Sequence, residues 1–307
     1  MIKIGIAGAD TPEAGELLRL LIQHPEIELI FAHAPAQKGV PVFKHHRGLV
    51  GDTELRFTEA FPIDKIDLLF VTSEDSMPPD VPLPDNVKVV IVQKNDEFKP
   101  IADIDAEEFI PGVSEMFRKP LVRIGRYSRV LPPATSLSLI VLYPLATHLV
   151  LNDTLTLKIG LPPYKKESVN VELMTAELES LLEKVQMSFT RFKSVEVDAS
   201  DTLRALTLEA SFESTITVEE IVKMYESIYD DHNFTFLVDT PPSPTEVAGT
   251  HKCLIHIGRE ESRIKISAVA DSVLRGGAGD AIHTMNLLFG LFEKTGLSLP
   301  AGLAFND

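Results

Sequence analysis

Apolar residues fall in short, nearly continuous runs through the first half of the chain, at residues 2–7 (IKIGIA), 27–34 (IELIFAHA), 66–72 (IDLLFVT) and 87–92 (VKVVIV). Runs of this length with little alternation predict strands buried on both faces. Between the first two, Ala14, Leu17, Leu18, Leu21 and Ile22 recur at helical spacing behind Thr11 and Pro12. A hydroxyl residue followed by a first-turn proline is a helix start, so a helix is predicted there. Strands separated by helices or crossovers predict an α/β fold with a mostly parallel, doubly wound sheet of Rossmann type. The Pro- and Asp-rich segment 77–86 (MPPDVPLPDN) stands where a crossover helix would fall and predicts a short irregular connection. Residues 126–150 (RYSRVLPPATSLSLIVLYPLATHLV) run from a polar strand end through Pro132-Pro133 into an apolar helix, with Thr135 and Ser136 read as its caps.

The second half reads differently. Strand-like pieces at 153–160, 203–213, 234–238, 253–258 and 263–270, with two or three helices among them, predict an α+β unit with an antiparallel sheet. Thr217 and Glu220 form a capping box ahead of Ile221, Val222, Tyr225 and Ile228. A last helix, 278–289, carries Ala278, Ala281, Ile282, Met285, Leu288 and Phe289 on one side. The predicted division is therefore 1–134, a Rossmann-type unit completed by a C-terminal helix in 277–307, and 135–276, an α+β unit.

Composition narrows the function. The chain has 307 residues, 44% of them hydrophobic, enough for two sizeable cores. Asp and Glu number 45 against 29 Lys and Arg, a net charge of -16, which makes nucleic acid and anionic membranes poor partners. The single cysteine, Cys253, excludes an intramolecular disulfide and a Cys-cluster metal site, as a reducing compartment allows. The first ten residues lack a basic stretch ahead of a long apolar one, and the apolar run at 137–151 is broken by Ser138, Tyr143, Pro144, Thr147 and His148. No signal peptide or membrane span is read, and a cytoplasmic location is expected.

Gly5 and Gly8 fall between the first strand and first helix, where glycines let a pyrophosphate approach the backbone and a helix N-terminus. Thr11 and Ala14 fill the next steps of the glycine rhythm, and Asp10, Glu13 and Glu16 crowd the helix start. Carboxylates there stabilise a helix by about 0.3–1 kcal/mol but repel phosphate. The second strand ends in His33, Ala34 and Pro35, with neither the acid that grips a ribose 2'-hydroxyl nor an arginine for a 2'-phosphate; only Lys38 is near. Gly5, Gly8, Thr11, Pro12 and Lys38 are the candidate nucleotide contacts, and a turn that caps itself is the competing reading.

Other groups read as structural first. Cys253 lies in an apolar strand, where a thiol acts as a small hydrophobe. His251 and His256, an odd number apart, predict opposite faces of that strand, so no metal ligands are assigned. His45-His46-Arg47 reads as a solvated loop, and Lys165-Lys166 as another. Arg118, Arg123, Arg126 and Arg129 are the one cationic concentration expected near the cleft, with Arg126 or Arg129 able to hold a carboxylate or phosphate.

The segments GIAGADTPEAGELLRLLIQHPEIEL, HHRGLVGD, IPGVSEMFRK, TVEEIVKMYESIYDD, VAGTHKCLIHIG and ISAVADSVLRGGAGDAIHTMNLLFGLFEKTGL, in that order, resemble N-acetyl-gamma-glutamyl-phosphate reductases of the semialdehyde dehydrogenase family. The resemblance implies a Rossmann domain and a dimerising substrate domain like that of glyceraldehyde-phosphate dehydrogenases, in a homodimer or homotetramer. It also implies NADP(H) as cofactor and an arginine-biosynthesis reaction, the reductive dephosphorylation of an acyl phosphate through a cysteine thioester. The family turn before the apolar helix reads Asn-Pro-Gly-Cys, and counting back from YPL places its cysteine at Pro133 or Ala134. Neither is a nucleophile, and the thioester route needs a thiolate. The family's His-Arg-His-x-Pro-Glu aligns with ELMTAE, placing Glu172 and Met174 at the histidines and keeping Glu177. Its Asp-Asn-Leu reads Asp271-Ser272-Val273, making Ser272 a further candidate cofactor contact. The expectation is a paralogue without the thiol chemistry that binds a small acidic metabolite or a partner. The alternatives are an NAD(P)-dependent oxidoreductase with changed chemistry in the interdomain cleft, using Glu172, Glu177 and Arg126, or the family reductase itself.

Overall fold

The computed structural model describes residues 1–301 apart from 79, 80, 94, 103 and 201; residues 302–307 of the 277–307 segment, and 79 and 80 of the 77–86 connection, lie outside the described residues. The chain divides into two compact units, one of Met1–Leu131 with Gly277–Ser298, the other containing Pro132–Gly276.

The first unit runs β1 (Ile2–Ala7), α1 (Pro12–Leu21), β2 (Ile27–His33), a four-residue helix α2 (Val42–His45), β3 (Leu68–Val71), β4 (Lys88–Val92), β5 (Ile110–Pro111), α3 (Ser114–Ile124) and β6 (Tyr127–Val130). Its strands form one sheet in the order β2-β1-β3-β4-β6-β5, and every pairing is parallel. Leu68, Leu69, Phe70 and Val71 of β3 are all fully buried, which is why the strand reads as an unbroken apolar run. The order reverses between β1 and β3, so their carboxyl ends form a switch point of the kind where α/β sheets bind ligands. α3 was hidden from pattern reading because Pro120 lies inside it and Phe117 (φ -114°, ψ 15°) breaks its helical rhythm.

The second unit runs α4 (Pro133–Thr147), β7 (Thr156–Leu161), α5 (Pro163–Lys166), α6 (Val171–Glu183), β8 (Ser194–Ala199), β9 (Ala205–Glu213), α7 (Val218–Tyr229), β10 (Thr235–Leu237), β11 (Cys253–Glu260) and β12 (Arg263–Asp271). The sheet order is β10-β11-β12-β9-β7-β8. Its centre is antiparallel, but β10–β11 and β7–β8 are parallel, which corrects the all-antiparallel expectation. β8 was missed by the sequence reading because it is a half-exposed edge strand of mixed polarity, and the helices between it and β7 supply the crossover that a parallel pairing requires. The Thr217–Glu220 capping box is present on α7.

The chain then re-enters the first unit as α8 (Ala278–Leu288), packed on α1 and α3. Every residue of α8 is buried, so the predicted one-sided apolar stripe describes only part of it. Its remaining side buries Asp280, His283, Thr284 and Asn286. His283 bridges Ser114 (Nδ1 to Oγ, 3.1 Å) and Glu293 (Nε2 to Oε2, 2.8 Å), and Glu293 also pairs with Arg118. Burial alone would raise the Glu293 pKa, but the His283 hydrogen bond and the charges of His283 and Arg118 hold it below the usual glutamate value. At the other end of α8, Lys88 Nζ donates to Leu288 O (2.8 Å), a cation on a helix C-terminus. Among the described residues no helix is long and apolar enough to cross a membrane, and no group of three His, Cys, Asp or Glu could hold a metal ion.

Candidate functional site

The structure gathers Gly8, Thr11 and Pro12 into the turn from β1 to α1 and separates Gly5 from them. Gly5 lies inside β1, where β2 carries an extra residue, Ile30, and brings Phe31 opposite. A Cβ on Gly5 would sit 2.3 Å from Phe31 Cζ, so this glycine is spent on packing an aromatic ring, not on a phosphate. That corrects its candidate role. Gly8 does hold the turn: its φ of +77° is left-handed, and the Thr72 hydroxyl donates to Gly8 O (2.7 Å) across the switch point.

The donors that would meet a pyrophosphate are mostly in use. Ala9 N–H donates to His33 O (3.0 Å), Thr11 N–H to Gly8 O (3.0 Å), Gly15 N–H to Thr11 O (3.1 Å) and Ala14 N–H to the Thr11 hydroxyl (3.2 Å), while Pro12 has none. His45 and His46 close the turn from the other side. Their Nε2 atoms donate to Asp10 O (2.8 Å) and Ala9 O (2.7 Å), and their rings stack edge to face at 4.9 Å. The solvated-loop reading of this pair is therefore corrected: neighbouring side chains diverge on a strand, but the end of α2 turns both rings onto adjacent carbonyls of the same turn. Burial lowers the His46 pKa, outweighing the Ala9 carbonyl. Lys38 is exposed and ion-paired with Glu59.

At the end of β2, His33 is 4% exposed, its ring edge-on to Phe61 at 5.0 Å. Its Nδ1 makes no hydrogen bond among the described residues. Burial lowers its pKa, against the raising effects of the Ala60 carbonyl and the Asp10 charge. The role of α2 was not legible beforehand. The end of β2 carries no arginine for the 2'-phosphate of NADP(H), and Lys38 is already committed to Glu59.

In the second unit, Pro133 is the first residue of α4 and Pro132 its cap, with no side chain capping the start. Thr135 and Ser136 lie inside the helix, which corrects their reading as caps; Pro132 precedes a proline and is held extended, so the helix begins at the next residue, whose φ a proline ring presets. The Thr135 and Ser138 hydroxyls are buried and make no hydrogen bond among the described residues, and the same holds for Ser272. Gly276 (φ +65°) lies against this start, its Cβ direction 2.3 Å from Pro133 Cα. Ala134 is buried and Cys253 is fully buried.

The remaining candidates are spread over both units. Glu172 is exposed in the first turn of α6, Met174 is in the core, and Glu177 is five residues beyond Glu172, more than a third of a turn round the helix. Arg126, in the first unit, donates to Pro84 O (2.9 Å) and pairs with Asp85 (3.6 Å). Arg129 donates to Gln93 Oε1 (3.2 Å) over the Phe98 ring. Both guanidinium groups therefore clamp nearby loops. His251 precedes β11 and packs on Phe234, whereas His256 is within the strand with Nδ1 at 3.1 Å from Val238 O.

No protein-family model matches the chain. Solved structures do. Aspartate semialdehyde dehydrogenase with NADP from Candida albicans is similar at a TM-score of 0.66 and 13% identity, covering 94% of this chain and 98% of that one. Aspartate semialdehyde dehydrogenase II complexed with ASA from Vibrio cholerae gives a TM-score of 0.64 at 13% identity, with the same coverage. The fold is that of the semialdehyde dehydrogenases. Among curated relatives, N-acetyl-gamma-glutamyl-phosphate reductase of Parabacteroides distasonis is 33% identical over 326 residues, covering 97% of this chain and 98% of that protein. Those of Bacteroides fragilis and Bacteroides thetaiotaomicron are 31% and 30% identical, with the same coverage. The chain belongs to the N-acetyl-gamma-glutamyl-phosphate reductase family.

Proposed function

We propose that this chain is a member of its family that lacks the thiol-dependent reduction of an acyl phosphate and acts by binding, as a homo-oligomer, a small acidic metabolite or a partner. One observation carries the reading: where the resemblance puts a nucleophilic cysteine, the chain begins α4 with Pro133 and Ala134, and its one thiol, Cys253, is fully buried in β11. Acyl transfer to an enzyme needs a group that attacks and then leaves; proline and alanine offer neither. The position given to an acid–base histidine holds Glu172, exposed on α6. The changed-chemistry alternative has less support, because Glu172 and Glu177 face different ways and Arg126 is tied to Pro84 and Asp85.

The test is direct. Purified protein mixed with NADPH and N-acetyl-gamma-glutamyl phosphate is expected to show no loss of nicotinamide absorbance, and none in reverse with the semialdehyde, NADP and phosphate. Turnover that disappears in Cys253→Ser would defeat the proposal.

A further inference from the structure

After α8 the first unit ends in a strap, residues 289–298, which contains no helix or strand. Few apolar contacts hold it: Leu297 is buried, but Phe292 is exposed and Phe289 and Leu291 are half-buried. A chain of polar contacts ties it down instead. The Asn286 side chain on α8 donates from Nδ2 to two strap carbonyls, Glu293 O (3.1 Å) and Thr295 O (2.9 Å). Its Oδ1 is therefore the acceptor for His24 Nε2 (3.1 Å), and His24 Nδ1 in turn accepts from Glu26 N–H (3.3 Å). Gly296 has a φ of +73°, and a Cβ there would lie 2.4 Å from His24 Cδ2, so the strap runs against the imidazole ring. We propose that His24 latches this strap, and that acid releases its residues 294–298 while the rest of the first unit stays folded.

The release follows from the two ring nitrogens. In the neutral ring one donates and the other accepts; a second proton turns Nδ1 into a donor that faces the Glu26 N–H. The ring must then swing away, which takes Nε2 from Asn286 and removes the surface on which Gly296 rests. Asn286 loses the contact that orients its amide toward the two strap carbonyls. Burial holds the His24 pKa below its ordinary 6.5, ahead of the raising effects of Asn286, Glu26 and the Thr295 carbonyl, so the closed strap excludes the proton. Of the charged groups on the elements packed here, Glu26 draws the proton to the ring and Arg19 of α1 is turned to Glu16. Glu293 of the strap is engaged by His283 of α8 and Arg118 of α3. Against burial, those two partners keep the Glu293 carboxyl below the usual glutamate value, so this anchor survives the acid that titrates His24 and the opening stops there.

The experiment is hydrogen exchange of the full chain, read by mass spectrometry at about pH 7.5 and about pH 5.5 and corrected for the intrinsic rate at each. The Thr295 and Leu297 amides, which donate to Phe292 O and Lys294 O (both 2.9 Å), report the strap. About one unit below the ordinary histidine value, a closed state that refuses the proton loses about tenfold against an open state that accepts it. Peptides spanning 293–298 should therefore lose up to about tenfold in protection at the lower pH, while peptides from β1 and α8 keep theirs. His24→Gln, which keeps an amide donor toward Asn286 and takes no proton, should leave the strap equally protected at both pH values. The wild-type comparison decides alone if that variant does not fold. Strap protection that is unchanged in acid, or lost to the same extent in His24→Gln, overturns the proposal, and so does loss of protection in β1 and α8 together with the strap.

Discussion

Tyr229 of α7 donates its phenolic hydrogen to the carbonyl of Ile140 in α4. That carbonyl stands four residues before Pro144, which has no N–H to give it, so the tyrosine fills the hydrogen bond that the proline removes from the helix. Tyr225, one turn earlier on α7, donates to the Val141 carbonyl, and its own hydroxyl stays protonated because burial pushes its pKa well up. Both tyrosines are buried, so the unpaired alternative has no water to turn to.

The first prediction follows from that pair. Tyr229→Phe leaves the Ile140 carbonyl buried and unsatisfied, which costs about 1–3 kcal/mol. In a Pro144→Ala background the helix regains its own donor, and the cost of Tyr229→Phe should shrink to a few tenths of a kcal/mol. Urea unfolding of the four variants measures it; equal costs in both backgrounds would remove the compensation.

Gly5 gives a second prediction. Gly5→Ala should destabilise the first unit by about 1–3 kcal/mol through overpacking on Phe31, and Phe31→Leu in the same chain should recover part of the loss. If Gly5 serves a phosphate instead, the alanine would leave the melting temperature unchanged and weaken nucleotide binding.

Stability should fall with acid well before the carboxylates titrate. His24, His33 and His46 have pKa values lowered from 6.5, each chiefly by burial. The folded state therefore binds fewer of these protons than the unfolded chain, and the slope of stability with pH is positive. The contribution is complete above the unfolded value of 6.5 and is lost as pH falls from there through the lower folded values. His24 illustrates why: its Nε2 faces Asn286 Oδ1 at 3.1 Å and its Nδ1 accepts from Glu26 N–H at 3.3 Å, a pattern only the neutral ring satisfies. Melting temperatures from about pH 7.5 to about pH 5.5 should decline, and His24→Gln should flatten the decline. A flat wild-type profile contradicts this.

The turn itself can be tested by rebuilding it. Thr11→Gly with Glu13→Thr removes a side chain and an acid from the start of α1, and should raise NADPH affinity by about tenfold, roughly 1.4 kcal/mol. Thr11 also caps the helix, so the double variant should melt slightly lower. Low-micromolar NADPH binding by the unmodified chain would refute the view of this turn as self-satisfied.

Assembly is the last prediction. α4 covers β9 and β12 from one side, while Thr207, Glu209 and Ser211 of β9 and Lys265 and Ser267 of β12 are half-buried on the alternate positions. We expect this polar sheet face to pack against a second copy. Light scattering at micromolar concentration should give a dimer or tetramer, with Ser267→Arg dissociating it; a monomeric wild type speaks against the assembly.

What the sequence determined by itself were features set by neighbours along the chain. The buried strands of the first unit, the Thr11–Pro12 helix start and the Thr217–Glu220 box each rest on contacts within a few residues, or on a periodicity that a linear pattern displays. That the chain has a single cysteine, Cys253, was equally legible. The tertiary structure decided what distant residues do to one another. Gly5 is a glycine because Phe31 crosses it, His46 belongs to the glycine turn because α2 folds back on it, and His24 and Asn286 meet across 262 positions. α8 looked one-sided because polar residues normally face water; Ser114, Glu293 and His24 supply the partners that let its polar side be buried. Burial and hydrogen-bond satisfaction belong to the packed molecule, and a sequence states only which atoms require them.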